Sequence, residues 1–519
     1  MKIGMRFLFG LMCLFTFLSN AQLSSEDGFV MFKFKMNDRN IDGRVRDWSY
    51  LNLKNVTTGK KHTIYPEKHY AFNKTQLFAG ELPAGDYEML EISAYIHPQT
   101  HTIAIPKGSM SFQVKPQQLT YLGNIIEMPI SASYSFFKGY NEKIIFGIDT
   151  PQPDEASIVV NGLFPEKKSL LEKPFIGWLE NEGTAKKQKV FNLIKKYIPE
   201  GWLAPYELSN GQLVFATLLG SIRLVDIEKR EGTLIQTGLN DPITSFVELK
   251  NGTWLAGSEF GELIYSTNQG EEWQSPKHQL PFGTVSGIYQ YTNEDIYVVV
   301  SNSDRVKLLK GSLDEEWEVL LDEEAIILPH SSDLLTSFKH SHLVKNQLFL
   351  LMKDNLLVYD MDTGKAEKAL LPGKGKKKVV TLFQVSTAGK VRVVRTNRSS
   401  FLKGFYATDD LGKNWEELET QITRRTIGWF YDENKGLRML FKPFAKNFYI
   451  ESTVDDGITW NEEEVSIDKS WTMGGAFPDN FFKLNKNDYL MLYNDYKLSM
   501  ISKDGGKTWE QLTITEKQP

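Results

Sequence analysis

Hydrophobic and polar residues alternate along most of this chain, in short runs broken by turn residues. Residues 29–36 read Phe-Val-Met-Phe-Lys-Phe-Lys-Met, residues 111–114 Ser-Phe-Gln-Val and residues 119–123 Leu-Thr-Tyr-Leu-Gly. A period of two is that of a strand with two unlike faces. Residues 82–87, Leu-Pro-Ala-Gly-Asp-Tyr, form a turn leading into another strand. One stretch departs from this period. Between Lys186 and Tyr197 the apolar residues Val190, Leu193, Ile194 and Tyr197 share one face of a helix. Lys186, Lys187, Lys189, Lys195 and Lys196 cover the remainder, as on a connector helix with a solvated basic face. Pro151 and Pro153 punctuate the end of the strand-rich region before it.

From residue 201 onward the pattern settles into a repeating unit. A strand at 243–249 is followed by an Asn251-Gly252 turn and a strand at 253–256. A tight loop around Glu259 and Phe260 then leads to a strand at 263–265 and a distinctive turn. Strand, hairpin, strand, hairpin, strand, turn, strand is one four-stranded antiparallel blade. The distinctive turn reads S/T-x-D/N-x-G-x-x-W. Its copies carry Asn268, Gly270 and Trp273; Asp410, Gly412 and Trp415; Asp455, Gly457 and Trp460; and Asp504, Gly506 and Trp509. The Asp or Asn oxygen can close a tight turn on nearby backbone N–H groups. The Gly supplies a positive φ, and the Trp plugs the turn with an apolar ring. Such a turn is structural and calls for no substrate.

Trp273 and Trp415 lie 142 residues apart, room for two eroded copies; Trp415 to Trp460 is 45 and Trp460 to Trp509 is 49. The eroded copies are Ser312 to Trp317 and Asp360 to Gly364, and another lies one step back, at Asp226 to Gly232. Seven units follow, within residues 201–519. The tail at 510–514 suffices for a last outer strand, with blade-to-blade packing as one way to close the ring.

These turn phrases resemble the Asp-box (BNR) repeat β-propellers, a superfamily with sialidases, sortilin-like receptors, some endoglucanases and photosystem-assembly-factor-like proteins. The resemblance implies that the turns lie on the rim, away from the central site. Residues 82–87, with the later 112–121, resemble the transthyretin-like or carboxypeptidase-regulatory-like β-sandwiches, which serve as spacers or adhesion surfaces. The expected fold is all-β: a leader at 1–21, a small β-sandwich at 22–150, a linker with an amphipathic helix at 151–200 and a seven-bladed propeller at 201–519.

Composition narrows the class. Lys2 and Arg6 followed by an apolar run from Phe7 to Leu18 read as a secretory signal, with cleavage expected after Ala21. Gly10, Leu11 and Met12 make a poor lipobox before Cys13. Beyond the leader no cysteine remains, so disulfide, zinc-thiolate and thiol chemistry are excluded and a large apolar core must carry stability. Without Lys2 and Arg6, 58 basic face 65 acidic residues, a balance unlike that of general nucleic-acid binders. No later segment is apolar enough to span a membrane. The expected location is secreted, periplasmic or in the cell envelope.

Candidate chemistry is sparse. A sialidase site needs an arginine triad, a Tyr/Glu nucleophile pair and an acid/base Asp. The family's Phe/Tyr-Arg-Ile-Pro phrase is absent, and Arg223, Arg230, Arg305, Arg392, Arg395, Arg398, Arg424, Arg425 and Arg438 match no motif. His340 and His342 could share one strand face, with Asp333 nearby, but lack a patterned third ligand. His97 and His101 have helical spacing broken by Pro98. Residues 373–378 form a basic loop. No cofactor or metal is expected. Loops between the second and third strands of each blade crowd one mouth of a propeller channel. Here they carry Glu259, Phe260, Asn302, Asp304, Arg305, Asp354, Asn355, Asn397, Arg398, Phe444, Asn494, Asp495 and Tyr496. The leading expectation is a non-enzymatic binding or assembly protein with a protein or glycan partner. The alternative is a glycoside hydrolase or lyase using Asp304, Asp354, Asp479 or Asp495 at the channel mouth.

Overall fold

The computed structural model describes residues 26–517 apart from 36–47, 68–74, 97–98, 136–138, 198–204, 218, 293–294, 303–304, 325–339, 353, 374–377, 398–402, 419–427, 443–446, 463–479, 485–487 and 493–498. Nine strands come first: β1 (Asp27–Lys35), β2 (Trp48–Asn55), β3 (Lys61–Pro66), β4 (Thr75–Pro83), β5 (Gly85–Ile96), β6 (Gln99–Ala104), β7 (Ser111–Val114), β8 (Leu119–Ser135) and β9 (Gly139–Ile148). They pair in the order β6-β5-β2-β3-β4-β1-β8-β9, with β7 also on β5. This path curls into a sandwich-like domain around Phe32, Phe34, Trp48, Phe78, Tyr87, Phe112 and Phe146. Strand β1 is covered on both sides. Val30, Phe32 and Phe34 point into this core, while Phe29 and Met31 meet a second cluster with the following helices. Lys33 and Lys35 share the parity of Phe29 and Met31 and are as buried as they are.

The linker holds two α-helices, α1 (Pro153–Leu163) and α2 (Glu182–Tyr197), with a 3-10 helix at Pro165–Glu172 between them. Pro153, read from sequence as punctuation, opens α1. Its fixed φ suits a first helical turn that needs no N–H there, and Asp154 and Glu155 follow at the positive end of the helix. At the start of α2, Asn181 Oδ1 accepts from the Thr184 N–H at 3.0 Å and the Asn181 N–H donates to Thr184 Oγ1 at 3.1 Å. The buried face of α2 differs from the expected one. Phe191 and Ile194 pack against Ile126 and Leu219, whereas Leu193 is exposed. A Cβ on Gly147 of β9 would meet the Phe191 backbone at 2.8 Å, so the close approach of strand and helix chooses the face.

Seven further sheets follow. Blade 1 comprises Tyr206–Glu207, Leu213–Ala216, Ser221–Asp226 and Glu231–Gln236, and blade 2 comprises Ile243–Glu248, Trp254–Ser258 and Leu263–Ser266. Blade 3 comprises Thr284–Gln290, Ile296–Ser301, Arg305–Gly311 and Glu318–Glu324. Blade 4 comprises Ser341–Val344, Gln347–Leu351, Asn355–Asp360 and Ala366–Leu370. Blade 5 comprises Lys378–Val385, Val391–Asn397, Lys403–Thr408 and Glu416–Glu417. Blade 6 comprises Trp429–Phe430, Gly436–Lys442, Asn447–Thr453 and Asn461–Glu462. Blade 7 comprises Asn480–Lys483, Tyr489–Leu492, Met500–Ser502 and Glu510–Gln511. The molecule is thus mostly β, with a seven-bladed propeller. In blade 2 the fourth strand shrinks to one bridge, Tyr265 to Gln274, before the chain crosses toward blade 3.

The second strands of blades 3, 4 and 7 read as nearly continuous apolar runs because both of their faces are covered. In blade 4, Leu348 and Leu350 face blade 3 while Phe349 and Leu351 face blade 5. The last seam is more than packing. After its fourth strand the chain crosses back, and Thr515–Glu516 pairs in parallel with Glu231 and Gly232 of blade 1. Beneath this, Leu213, Phe215, Val225 and Ile227 of blade 1 pack on Leu490, Ile501, Leu512 and Ile514. Lys517 pairs with Glu231 at 2.7 Å and Arg230 with Glu510 at 2.5 Å. A shared strand edge therefore closes the ring, where packing alone was one expectation.

Candidate functional site

Strands alternate in direction along each blade. Loops joining second to third strands therefore share one end of the propeller with the connections between blades, and the Asp-box turns lie at the other end. The turns are built as their residue types suggest. Thr453 Oγ1 donates to Asp455 Oδ1 at 2.7 Å and accepts from the Gly457 N–H at 2.9 Å, while Asp455 accepts from the Thr459 N–H at 2.9 Å. The same set recurs around Asn268, Asp410 and Asp504. Gly270, Gly412, Gly457 and Gly506 all have φ between 85° and 89°, and the residue before each is left-handed too. The Asn414 N–H, then the Thr408 hydroxyl, hold the Asp410 carboxyl down at about 2. The Trp273, Trp460 and Trp509 indoles donate to the carbonyl of their own box glycine, whereas Trp415 donates to Leu370 of blade 4 at 3.0 Å.

The opposite, loop end carries the sequence-selected candidates. Asp304, Arg398, Phe444, Asn494, Asp495 and Tyr496 lie outside the described residues, as do Asp333, Asp479 and His97, and Asn397 is described as backbone only. Asp354 is exposed, with the Arg395 guanidinium 3.9 Å away; Arg395 also donates to the Pro372 and Gly373 carbonyls. Asn302 Oδ1 accepts from the Arg305 N–H at 2.8 Å, and Arg305 turns to Asp322 on the next strand. Asn355 is half-buried. Glu259 and Phe260 are set apart from this group, because both are buried beneath the sandwich-like domain. Phe260 belongs to the cluster of Phe29, Met31, Leu77, Tyr121 and Val159.

That burial shows how the domains meet. The sandwich-like domain and α1 sit on the loop end at blades 1 and 2. A Cβ on Gly162 of α1 would overlap the Phe282 ring, in the connection from blade 2 to blade 3. At the centre, Lys33 and Lys35 of β1 both donate to Asp241, in the connection from blade 1 to blade 2. Lys35 also donates to Thr75 at 3.0 Å, and Lys33 lies 4.3 Å from the centre of the Phe260 ring and 4.0 Å from Glu155. Tyr121 donates to Glu155 at 2.8 Å. Asp149 accepts from the Asn124 backbone and side chain at 2.6 Å, and from Asn240 of the propeller at 3.2 Å. Lys195 of α2 reaches the Leu239 carbonyl and Asn240 Oδ1, each at 2.7 Å. Lys195 was expected on a solvated basic face and instead reaches into this interface, where burial pushes it down; Lys33, Lys35, Asp149, Glu155 and Asp241 were not selected from the sequence. The available signal was two lysines on the same strand face as Phe29 and Met31.

Burial works against every charge here, and partners decide the result. Burial alone would push the Asp241 carboxyl up, yet Lys33 and Lys35 hold it at about 2. Burial alone would push Lys33 down, yet Asp241, Glu155 and Glu262 hold it above the usual lysine range. Burial and the Glu155 charge push Asp149 up to about 7. Burial and the Asp241 charge push Glu262, bonded to Ser258 at 2.9 Å, up to about 8.

The histidines fall elsewhere. His340 is buried, and burial pushes it down to about 3, while the His342 ring meets Phe383 edge-on at 5.2 Å. His101 lies on β6. Among the described residues no three His, Cys, Asp or Glu side chains are grouped to hold a metal ion, and no helix is long and apolar enough to cross a membrane.

The family model for the BNR/Asp-box repeat matches residues 500–511, the blade 7 turn. The chain is a seven-bladed β-propeller carrying a BNR/Asp-box repeat. No curated protein matches it in sequence. Among solved structures it is similar to a GH74 xyloglucanase from Xanthomonas campestris (10% identity, 59% of this chain and 53% of that chain, TM-score 0.40). It is also similar to YCF48 bound to D1 peptide (11%, 54% and 85%, 0.40) and to an oligogalacturonate lyase from Vibrio parahaemolyticus (10%, 58% and 89%, 0.39). The chain spans about half the length of the xyloglucanase. These neighbours differ in function, and none of the likenesses bears on what this chain binds.

Proposed function

We propose that this is a secreted or periplasmic binding or assembly protein that presents the loop end of blades 3 to 7 to a protein or glycan partner. The observation that supports this is the seating of the sandwich-like domain on blades 1 and 2. It packs on Phe260 and Asp241 at the loop end of blades 1 and 2, while Asp354 at the same end of blade 4 is exposed and Asn302, Arg305 and Asn355 are half-buried. A rigid scaffold with polar loops suits recognition of a polar polymer or an extended peptide. The test is retention of partners from envelope and culture-fluid extracts by wild type and by Asp354→Lys/Asn355→Lys. The expected outcome is a defined retained species that the double variant loses at unchanged thermal stability. Cleavage of a glycan from a substrate panel, abolished by the same variant, would instead establish the hydrolase or lyase reading.

A further inference from the structure

The buried charges between the domains come from both of them. Lys33 and Lys35 come from β1, Tyr121 and Asn124 from β8, Asp149 from the segment after β9, Glu155 from α1 and Lys195 from α2. The propeller contributes Asn240 and Asp241 from the connection between blades 1 and 2, and Glu262 from blade 2, with buried Glu259 three residues before it. Three ammonium groups thus meet the carboxyls of Asp149, Glu155, Asp241 and Glu262, with Glu259 adjoining. Fully ionised, this set holds more negative than positive charge, in a volume with little water to screen it. A well-packed apolar seam would have joined the domains without that cost. Among the described residues the seam has two apolar parts, one around Phe260 and Phe282 and one where Leu219 of the propeller meets Ile126, Phe191 and Ile194, and the charges lie between the same elements.

We propose that this interface is a pH-gated latch: it holds the sandwich-like domain on the propeller while the acid cluster keeps a proton, and releases the domain as the cluster ionises fully. Release uncovers the loop ends of blades 1 and 2, including Phe260, and widens the approach to the channel mouth. That the uncovered loops then meet a partner rests on the function proposed above; the release itself does not.

The direction follows from the raised acids. Asp149 and Glu262 hold protons in the docked state up to about pH 7 and about pH 8, and lose them at ordinary carboxyl values once hydrated. Docking therefore binds protons. It weakens as pH climbs from the ordinary range through those values, and becomes constant above them. Asp241, held low, stays ionised throughout and anchors both lysines.

Spin labels on Val56→Cys and Val319→Cys, both exposed and one on each domain, report the separation in a Cys13→Ser background. The expected result is one short distance near about pH 6, and a second, longer population that grows to about half by about pH 9. Glu262→Gln with Asp149→Asn should abolish that growth. A distance distribution unchanged from about pH 5 to about pH 9.5 in the unsubstituted cluster overturns the proposal without any variant. So does a pH response that persists in the double variant. An intact pH response alongside no retained partner counts against the proposed function and leaves the latch standing.

Discussion

The Asp-box turns and the domain interface both bury polar groups, and they do so in opposite ways. Asp455 finds its partners within four residues, on Thr453 and Thr459. Asp241 finds its partners more than two hundred residues back, on Lys33 and Lys35. The turn is satisfied as soon as the local chain folds, so it can be copied from blade to blade. The interface is satisfied only when two domains meet, and each of its charges is costly until then. A repeat can afford polar groups that carry their own partners, whereas a unique seam relies on groups that specify one docking geometry.

The sharpest way to break this contrast is Asp241→Ala. It leaves Lys33 and Lys35 buried without their carboxylate and should cost about 3–5 kcal/mol. Calorimetry should then show the sandwich-like domain and the propeller melting separately; one unshifted transition would mean that the seam does not couple them. Next is Trp509→Ala, which empties a site packed against Phe481 and should cost about 3 kcal/mol in urea unfolding. Trp460→Ala should cost less, because that ring is only partly buried over Arg438 and Phe430. Equal losses would show that the four boxes are equivalent locks after all.

Ending the chain after Thr513 removes Ile514 and the strand that closes the ring, and should cost about 2 kcal/mol with blade 1 exchanging its amide protons first. Gly412→Ala and Gly506→Ala differ by what a methyl would meet. At Gly412 it would lie 2.8 Å from the Ala369 Cβ of the preceding blade, at Gly506 no closer than 3.5 Å to Leu437. The Gly506 change should cost about 1–2 kcal/mol for its backbone alone, and the Gly412 change more. Glu262→Gln acts on the pH dependence of stability rather than on its value at one pH. Its raised value means that wild type loses stability as pH rises from 4.5 toward about 8. The variant should flatten that slope in denaturation midpoints taken across the range, and a parallel slope would count against the assignment.

Much of the propeller was legible in the chain because its information is local. Ser or Thr, Asp or Asn, Gly and Trp at fixed offsets make a turn by themselves, and their spacing counts the blades. The alternation in β1 was legible as a strand, but not where its second face goes. Leu193 was assigned inward and Phe191 omitted, because helical periodicity cannot show that Gly147 brings β9 against one side of α2. The loop residues around Phe260 were grouped by position in the repeat, and that grouping cannot show that a second domain sits on two of seven blades.

The amino-acid sequence by itself determined the repeating blade, its turn and the number seven, since neighbours in the chain satisfy one another there. Only the tertiary structure decided how the ring closes, which helix face is buried and what stands on the loop end. Those outcomes depend on groups far apart in sequence, such as Thr515 with Glu231 and Lys33 with Asp241, whose charge and spacing acquire meaning only on contact.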